Sequence, residues 1–151
     1  MSHRFIGRFE YSVDAKGRVN IPARFRKALT PSAAETFVIC LAPDNRLRAY
    51  PSDVWTAIEA RYAKLPSTPQ NTQFLRALYQ SIEEVELDGQ GRIKLAQHLC
   101  DYAGITNKVA LIGFSSEQCI ELCAPEQLVD SSEYDFSDLF YQAHAEGGSH
   151  E

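Results

Sequence analysis

No stretch of this 151-residue chain approaches the ~18 consecutive apolar residues that a membrane-spanning helix needs, so no membrane association is expected. Residues 1–8 are charged and lack both an apolar h-region and a cleavage site, which leaves nothing to mark the chain for export. Cysteine is sparse. Cys40, Cys100, Cys119 and Cys123 show no C-x-x-C spacing, and the cytoplasmic setting expected for the chain keeps thiols reduced. Cys119 and Cys123 lie in a run that reads as a strand, where four residues separate Cα atoms by ~13 Å, too far for one metal to take both. A helix there would put the pair on one face with His98 and Cys100 as further ligands, but that spacing fits none of the usual structural zinc patterns. Also missing are a glycine-rich phosphate loop and a Ser/His/Asp arrangement. Glu84, Glu86 and Asp88 come closest to an acid/base set, yet Glu84 and Glu86 alternate with Val85 and Leu87 as on a solvated strand face. Neither an enzyme nor a cofactor is expected.

Lys and Arg are absent from residues 126–151, which hold seven acids: Glu126, Asp130, Glu133, Asp135, Asp138, Glu146 and Glu151. Residues 1–29 are the reverse, with Arg4, Arg8, Lys16, Arg18, Arg24, Arg26 and Lys27 against Glu10 and Asp14. The net charge of −5 therefore hides a basic end suited to an anionic partner and an acidic tail at the other end. On charge alone, a solvated surface that happens to segregate its charges is the favoured reading. Length and a 44% apolar content fit one domain with a core of its own.

What the chain does have is a repeat. Val13-Asp-Ala-Lys-Gly-Arg-Val-Asn-Ile-Pro22 aligns without gaps on Leu87-Asp-Gly-Gln-Gly-Arg-Ile-Lys-Leu-Ala96, which carries Asp14 onto Asp88 and Arg18 onto Arg92. Each copy continues with a short amphipathic stretch (23–29 and 97–103), an apolar run (36–41 and 108–113) and a closing strand (46–50 and 119–123). The economical description is two copies of a β-turn-β-α-β-β unit in a mainly β, α+β chain. Asp14 and Asp88 can accept backbone N–H groups two residues on, and Gly17 and Gly91 can take positive φ, which predicts a three-residue hairpin loop in each copy. Pro22 suits the first turn of the helix that follows.

Between the copies, Ser52 or Asp53 is expected to cap a helix through Val54, Trp55, Ile58, Tyr62 and Leu65, with a second helix over residues 70–81 after Pro66-Ser-Thr-Pro69. Residues 126–129 are expected to add one helical turn, 138–145 to form a weak helix, and 146–151 to be disordered. The organisation read from the chain is a single domain over 1–151, with repeats at 4–51 and 82–128, connecting helices at 52–81 and an acidic tail at 129–151.

The paired turns Asp14…Arg18 and Asp88…Arg92 closely resemble those of the MraZ family of bacterial transcriptional regulators. So do Gly7, Lys16-Gly-Arg-Val-Asn-Ile-Pro-Ala-Arg-Phe-Arg26, Tyr50-Pro51 with Trp55, and the run from Val109 to Gly113. The likeness spans about residues 4–128, departing at Ala96, where Pro is frequent, and at Cys123, where an aromatic is common. The resemblance implies a swapped-hairpin (double-split) β-barrel like that of AbrB and SpoVT, here made from two copies in one chain. It also implies a ring-shaped homo-oligomer, an octamer, that binds double-stranded DNA at promoter repeats of cell-division and cell-wall genes, including its own operon. Such a protein would be cytoplasmic and nucleoid-associated.

The residues make a case for DNA in their own right. Arg18 and Lys16 sit beside a tight turn tip, where Arg can read guanine edges bidentately and Lys can contact phosphate. Arg4 and Arg8 form a basic arm, and Arg24, Arg26 and Lys27 decorate the short helix. Asp14 and Arg18 can also simply pair with each other across one turn, although a carboxylate can orient an arginine that still donates elsewhere. The copies differ: Gln90, His98, Cys100 and Asp101 replace Lys16, Arg24, Arg26 and Lys27. DNA contact is therefore expected mainly from the first copy. Arg92, expected near Glu84, Glu86 and Asp101, is at most a secondary contact, and Asp14, Gly17, Asp88 and Gly91 stabilise the turns. The rival reading is a ring-shaped protein-interaction scaffold with no DNA role.

Because the cysteines suit neither a disulfide nor a metal, chelator and reductant should leave the thermal transition unchanged. A large fall in melting temperature with chelator alone would overturn that reading.

Overall fold

The two Asp-x-x-x-Arg segments close as turns, but the strands that flank each turn do not pair with each other. A computed structural model describes residues 4–128 and 133–149, with side chains through Ala145. In chain order the elements are β1 (Arg8–Ser12), β2 (Arg18–Asn20), α1 (Ala23–Lys27), β3 (Thr36–Ala42), β4 (Arg46–Pro51), α2 (Ser52–Tyr62) and α3 (Pro69–Ser81). There follow β5 (Glu83–Glu86), β6 (Arg92–Lys94), α4 (Gln97–Ala103), β7 (Lys108–Phe114), β8 (Cys119–Cys123) and α5 (Phe136–Ser149). No helix among the described residues is long and apolar enough to cross a membrane.

Every turn strand takes its partner from the other copy. β1 pairs antiparallel with β7, β5 with β3, and β2 with β6. The result is one six-stranded sheet in the order β1-β7-β8-β4-β3-β5 and a separate two-stranded ribbon, β2-β6. The order reads the same from either end once the copies are interchanged, because β4 and β8 occupy the centre. Local pattern reads each turn as a hairpin of its own two strands; the strands instead pair by exchange, as the resemblance implies, which covers each copy's strand edges with the other copy's backbone.

Side-chain alternation places the core. Phe37 and Ile39 of β3, Leu47 and Ala49 of β4 and Ile120 and Leu122 of β8 face the ribbon, whose Val19 and Ile93 are buried beneath them with Phe5, Phe25 and Leu99. Phe25 meets Phe5 and Phe9 edge-on at 5.6 and 5.2 Å. On the opposite face Val38, Cys40, Tyr50 and Cys119 pack under Trp55 and Ile58 of α2 and Leu78 of α3. Phe5 pins the N-terminal arm so closely over β7 that a Cβ on Gly113 would lie 2.3 Å from the Phe5 backbone.

Several boundaries differ from expectation for identifiable reasons. Pro51, not Ser52 or Asp53, is the N-cap of α2. Ser52 Oγ instead donates to the Ala33 carbonyl, and Asp53 accepts from Thr30 and Ser32, so both side chains hold the preceding loop. Pro22 likewise lies one residue earlier than expected, as N-cap of α1. After Pro125 the chain forms a 3₁₀ turn, Pro125–Gln127; Val129 and Asp130 lie outside the described residues. The expected weak helix over 138–145 and disorder from 146 give way to one helix, α5, through Ser149; His150 and Glu151 lie outside the described residues. Asp135 starts it by accepting the Ser137 N–H at 2.9 Å, a cap just ahead of the expected start.

Beyond the cover of α2 and α3, the outer side of the central strands carries charge. Arg48 and Glu121 are register partners on β4 and β8. Arg48 Nε donates to Glu121 Oε2 at 3.0 Å and Arg46 Nη1 to Oε1 at 3.3 Å, while Arg46 Nη2 reaches the Gln127 carbonyl at 2.9 Å. Glu121 is only 9% exposed, so removing it takes from two arginine heads the carboxylate they share in a poorly hydrated place. Glu121→Ala should cost about 3 kcal/mol of unfolding free energy. Denaturant titration checks this, and a loss of only about 0.5 kcal/mol, the scale of ordinary surface substitutions, would overturn it.

Candidate nucleic-acid interface

Each turn is built around its aspartate. Asp14 Oδ1 accepts the backbone N–H groups of Lys16 and Arg18 at 2.9 and 2.8 Å, and Oδ2 accepts Arg18 Nε at 2.6 Å. Asp88 repeats the pattern with Gln90 N, Arg92 N and Arg92 Nε, each at 2.9 Å. Asp14's carboxyl falls from 3.8 to about 2, first because the Arg18 backbone N–H donates to it; desolvation opposes the fall, and Arg18's side chain and the Lys16 N–H add to it. Asp88 is held low in the same way, first by the backbone N–H of Arg92.

The glycines let the two turns interlock. Gly17 and Gly91 have φ of +81° and +75°, which L side chains adopt at a cost. A Cβ on Gly17 would stand 2.7 Å from the Leu95 carbonyl oxygen, and one on Gly91 2.8 Å from Arg26 Nε. In that space the Leu95 N–H donates to the Gly17 carbonyl at 2.8 Å, and the Ile21 N–H to the Gly91 carbonyl at 3.0 Å. The two bonds are mirror counterparts across the repeat.

The exchange brings together side chains from opposite halves of the chain. In the ribbon, Arg18 lies opposite Lys94 and Asn20 opposite Arg92. Val19 and Ile93 point into the core, so Arg18, Asn20, Arg92 and Lys94 share the outer face, with Asn20 and Lys94 exposed and the two arginines half-buried. Arg92 Nη1 also comes within 4.0 Å of Asp14 Oδ2. Arg92 thus pairs with Asp88 of its own turn, as a turn-stabilising role requires, and comes near Asp14 of the other, because β6 runs beside β2 of the other copy.

Other candidates are spread around this ribbon. Lys16 is exposed at the tip and Arg4 on the arm. Arg8 pairs loosely with Glu10 at 3.4 Å, both side chains well exposed. Arg24 stacks over Phe9, its guanidinium carbon 5.9 Å from the ring centre. Arg26 Nε donates to the Ile21 carbonyl at 3.0 Å and lies against Gly91, where it supports the second turn. Reasoning on each copy alone missed Asn20 and Lys94. The available signal was that they occupy equivalent places in Val-Asn-Ile and Ile-Lys-Leu, each between two residues destined for the core.

Arg18 commits only its Nε to Asp14, and its guanidinium makes no other hydrogen bond among the described residues. Its position is therefore held while donors remain for an acceptor outside the chain, which is the arrangement a base edge or phosphate requires. The cysteines are not chemically poised. All four are free and buried, and desolvation pushes Cys40 and Cys119 up to about 12. His98 is hydrogen-bonded through Nε2 to the Ser81 carbonyl at 2.8 Å. No group of three or more His, Cys, Asp or Glu among the described residues could hold a metal ion.

Two tandem repeats that trade strands, with an aspartate-held arginine from each on the ribbon they share, define a paired swapped-hairpin protein. The chain belongs to the MraZ family, whose model, described as "MraZ protein, putative antitoxin-like", matches residues 5–77 and 78–144. It is similar to the transcriptional regulator MraZ of Acetivibrio thermocellus, 42% identical over 74% of this chain and 76% of that one. It is also similar to those of Natranaerobius thermophilus, 38% identical over 82% of each chain, and Clostridium acetobutylicum, 35% identical over 85% and 87%.

The Asp14 geometry sets a pH dependence. A depressed carboxyl stabilises the fold fully above its unfolded value of about 4, and the contribution is lost as pH falls through about 2. The stability gap between the native chain and Asp14→Asn should therefore be constant from pH 5 to 7 and close as pH approaches 2. A gap unchanged at pH 2, or an Asp14 carboxyl NMR titration centred near 4, would contradict the turn's electrostatics.

Proposed function

We propose that this protein is a sequence-specific, DNA-binding transcriptional regulator that acts as a ring-shaped homo-oligomer, an octamer, on promoter repeats. The observation that carries the reading is the outer face of the β2–β6 ribbon, where Arg18, Arg92, Lys94 and Asn20 gather beside the exposed Lys16. A two-stranded ribbon fits the major groove, where Arg reads guanine and Asn reads adenine. Arg18 makes the principal base contact, with Arg92 flanking it. Lys16, Lys94, Arg4, Arg8, Arg24 and Arg26 contact phosphates, Arg26 while its Nε also steadies the turn. The relatives' name, transcriptional regulator, supports the regulatory role. The promoters are those of cell-division and cell-wall genes, the protein's own operon among them, which places it in the cytoplasm at the nucleoid.

An acidic chain can bind DNA this way because each subunit of a ring offers one basic ribbon. Tethering then turns the second and later contacts into events at high effective concentration. The mass in solution should lie far above the 16.9 kDa of one chain.

Mobility shifts on the DNA immediately upstream of the gene, at two salt concentrations and against scrambled sequence, test the proposal. Arg18→Ala should remove specific binding, about 1–3 kcal/mol for each ribbon engaged, with the oligomer intact. Lys16→Ala should weaken all sequences alike and reduce the salt slope by about 1. Retention of specific binding by Arg18→Ala, with its loss in Arg92→Ala, would reverse the roles of the two copies. Absence of any salt-sensitive shift would favour a protein-interaction scaffold instead.

A further inference from the structure

We propose that α5 is an intersubunit clasp whose aromatic stripe docks in the groove between α2 and α3 of a second copy of this chain, an inference that rests on the homo-oligomer reading above. α5 is helical by local design. Asp135 caps it, and Phe136, Leu139, Phe140 and Ala143 recur at the i, i+3, i+4, i+7 spacing of one helix face. Along that stripe Phe136 and Phe140 lie 6.4 Å apart, and His144 stacks on Phe140 at 4.0 Å. Yet every residue from Glu133 to Ala145 is exposed, Phe136 by 69%. A helix of this length is marginal in water without tertiary packing, so its stripe calls for a surface to cover it.

The same chain carries a fitting acceptor. Ala60 and Ala63 of the α2 segment leave a groove of about 510 Å³ against Leu75 and Tyr79 of α3. Its rim exposes Phe74 and Tyr79, each by 45%, and Phe74 meets Tyr62 edge-on at 5.5 Å. Small residues facing large ones make the indentation into which an aromatic stripe seats, the helix-in-groove mode of recognition. The acid within the groove, Glu59, is already engaged by the Tyr79 hydroxyl at 2.8 Å.

Charge identifies the occupant. Next to the lining residues Ala63 and Leu75, Lys64 and Arg76 are exposed cations. α5 and its approach carry Glu133, Asp135 and Asp138, and no Lys or Arg occurs anywhere from residue 126 onward. Donor and acceptor are different surfaces of one chain, which makes the contact heterologous, and heterologous contacts are what close into rings. The acidic segment thus links neighbours and keeps a negative helix on the α2–α3 side of each subunit.

The test compares the full chain with a chain ending at residue 132 and with Phe140→Asp, by light scattering at micromolar concentration. Truncation should lower the mass, and Phe140→Asp should weaken self-association by about 30-fold or more, as loss of a buried aromatic anchor does. In parallel, Leu139→Cys and Leu75→Cys are placed on two co-expressed chains with different tags. They should form a mixed disulfide that neither variant forms alone, since the native cysteines are buried. An oligomeric full chain whose mass survives truncation and whose tagged chains do not cross-link overturns the clasp and leaves the ring reading standing. A monomeric full chain overturns both. When both substitutions are on one chain, a disulfide confined within that chain shows α5 seated on its own groove and also overturns the proposal.

Discussion

Two reciprocal hydrogen bonds, Leu95 N–H to the Gly17 carbonyl and Ile21 N–H to the Gly91 carbonyl, set the register on which everything else rests. Each contributes only about 1 kcal/mol net, so they do not supply the stability. That comes from what the register buries: Val19 and Ile93 at the middle of the ribbon, each worth about 1.5–3 kcal/mol on burial, above the inner face of the sheet. A slip of one residue would turn Val19 and Ile93 to solvent and drive Arg18 and Arg92 into the core. The turn glycines are tied to the same constraint, because a side chain at either would strike the other copy. Neither repeat has a complete core without its twin, which makes the pair a single folding unit.

The same register sets the chemistry of the exposed face. Asp14 and Asp88 first serve the backbone, each satisfying two N–H groups of its turn, and only then hold an arginine by its Nε. Such an arginine has lost much of its rotamer freedom before any ligand arrives, which lowers the entropic cost of a later contact. Pairing within the turn and contact with a nucleic acid are therefore compatible uses of one side chain. The surrounding cations differ in role despite their shared charge. Arg26 is steadied through its Nε on the Ile21 carbonyl and Arg24 over the ring of Phe9, whereas Lys16 and Lys94 stand exposed without such a hold.

Charge segregation along the chain becomes spatial segregation in the fold. The basic first copy surrounds the ribbon, the Arg46–Arg48–Glu121 group closes the outer side of the central strands, and Glu133, Asp135 and Asp138 lie on α5 and the segment leading into it. On the proposed reading the last of these has a positive task, holding subunits together, and the ring it closes multiplies weak ribbon contacts into a tight one.

The repeat, the turns and the boundaries of most strands were legible in the residues, because they depend on local rules. Asp and Gly at fixed offsets make a turn, alternation makes a strand, and β8 matches its expected limits of 119–123. The helix caps were less so, since Ser52 and Asp53 satisfy a loop that folds back from earlier in the chain. α5 was underread because its cap, Asp135, precedes the segment that looked helical. Which strand pairs with which could not be read from local pattern at all. A hairpin and an exchanged pair bury the same side chains on the same period, and only the resemblance pointed to exchange. The neighbourhood of Arg92 followed from that one decision, as did the meeting of Asn20 and Lys94 with the arginines of the opposite copy. Sequence determined the parts and their faces, since those follow from spacing along the backbone; tertiary structure alone decided their partners, because partner choice is settled by which edges and apolar faces the whole chain can cover at once.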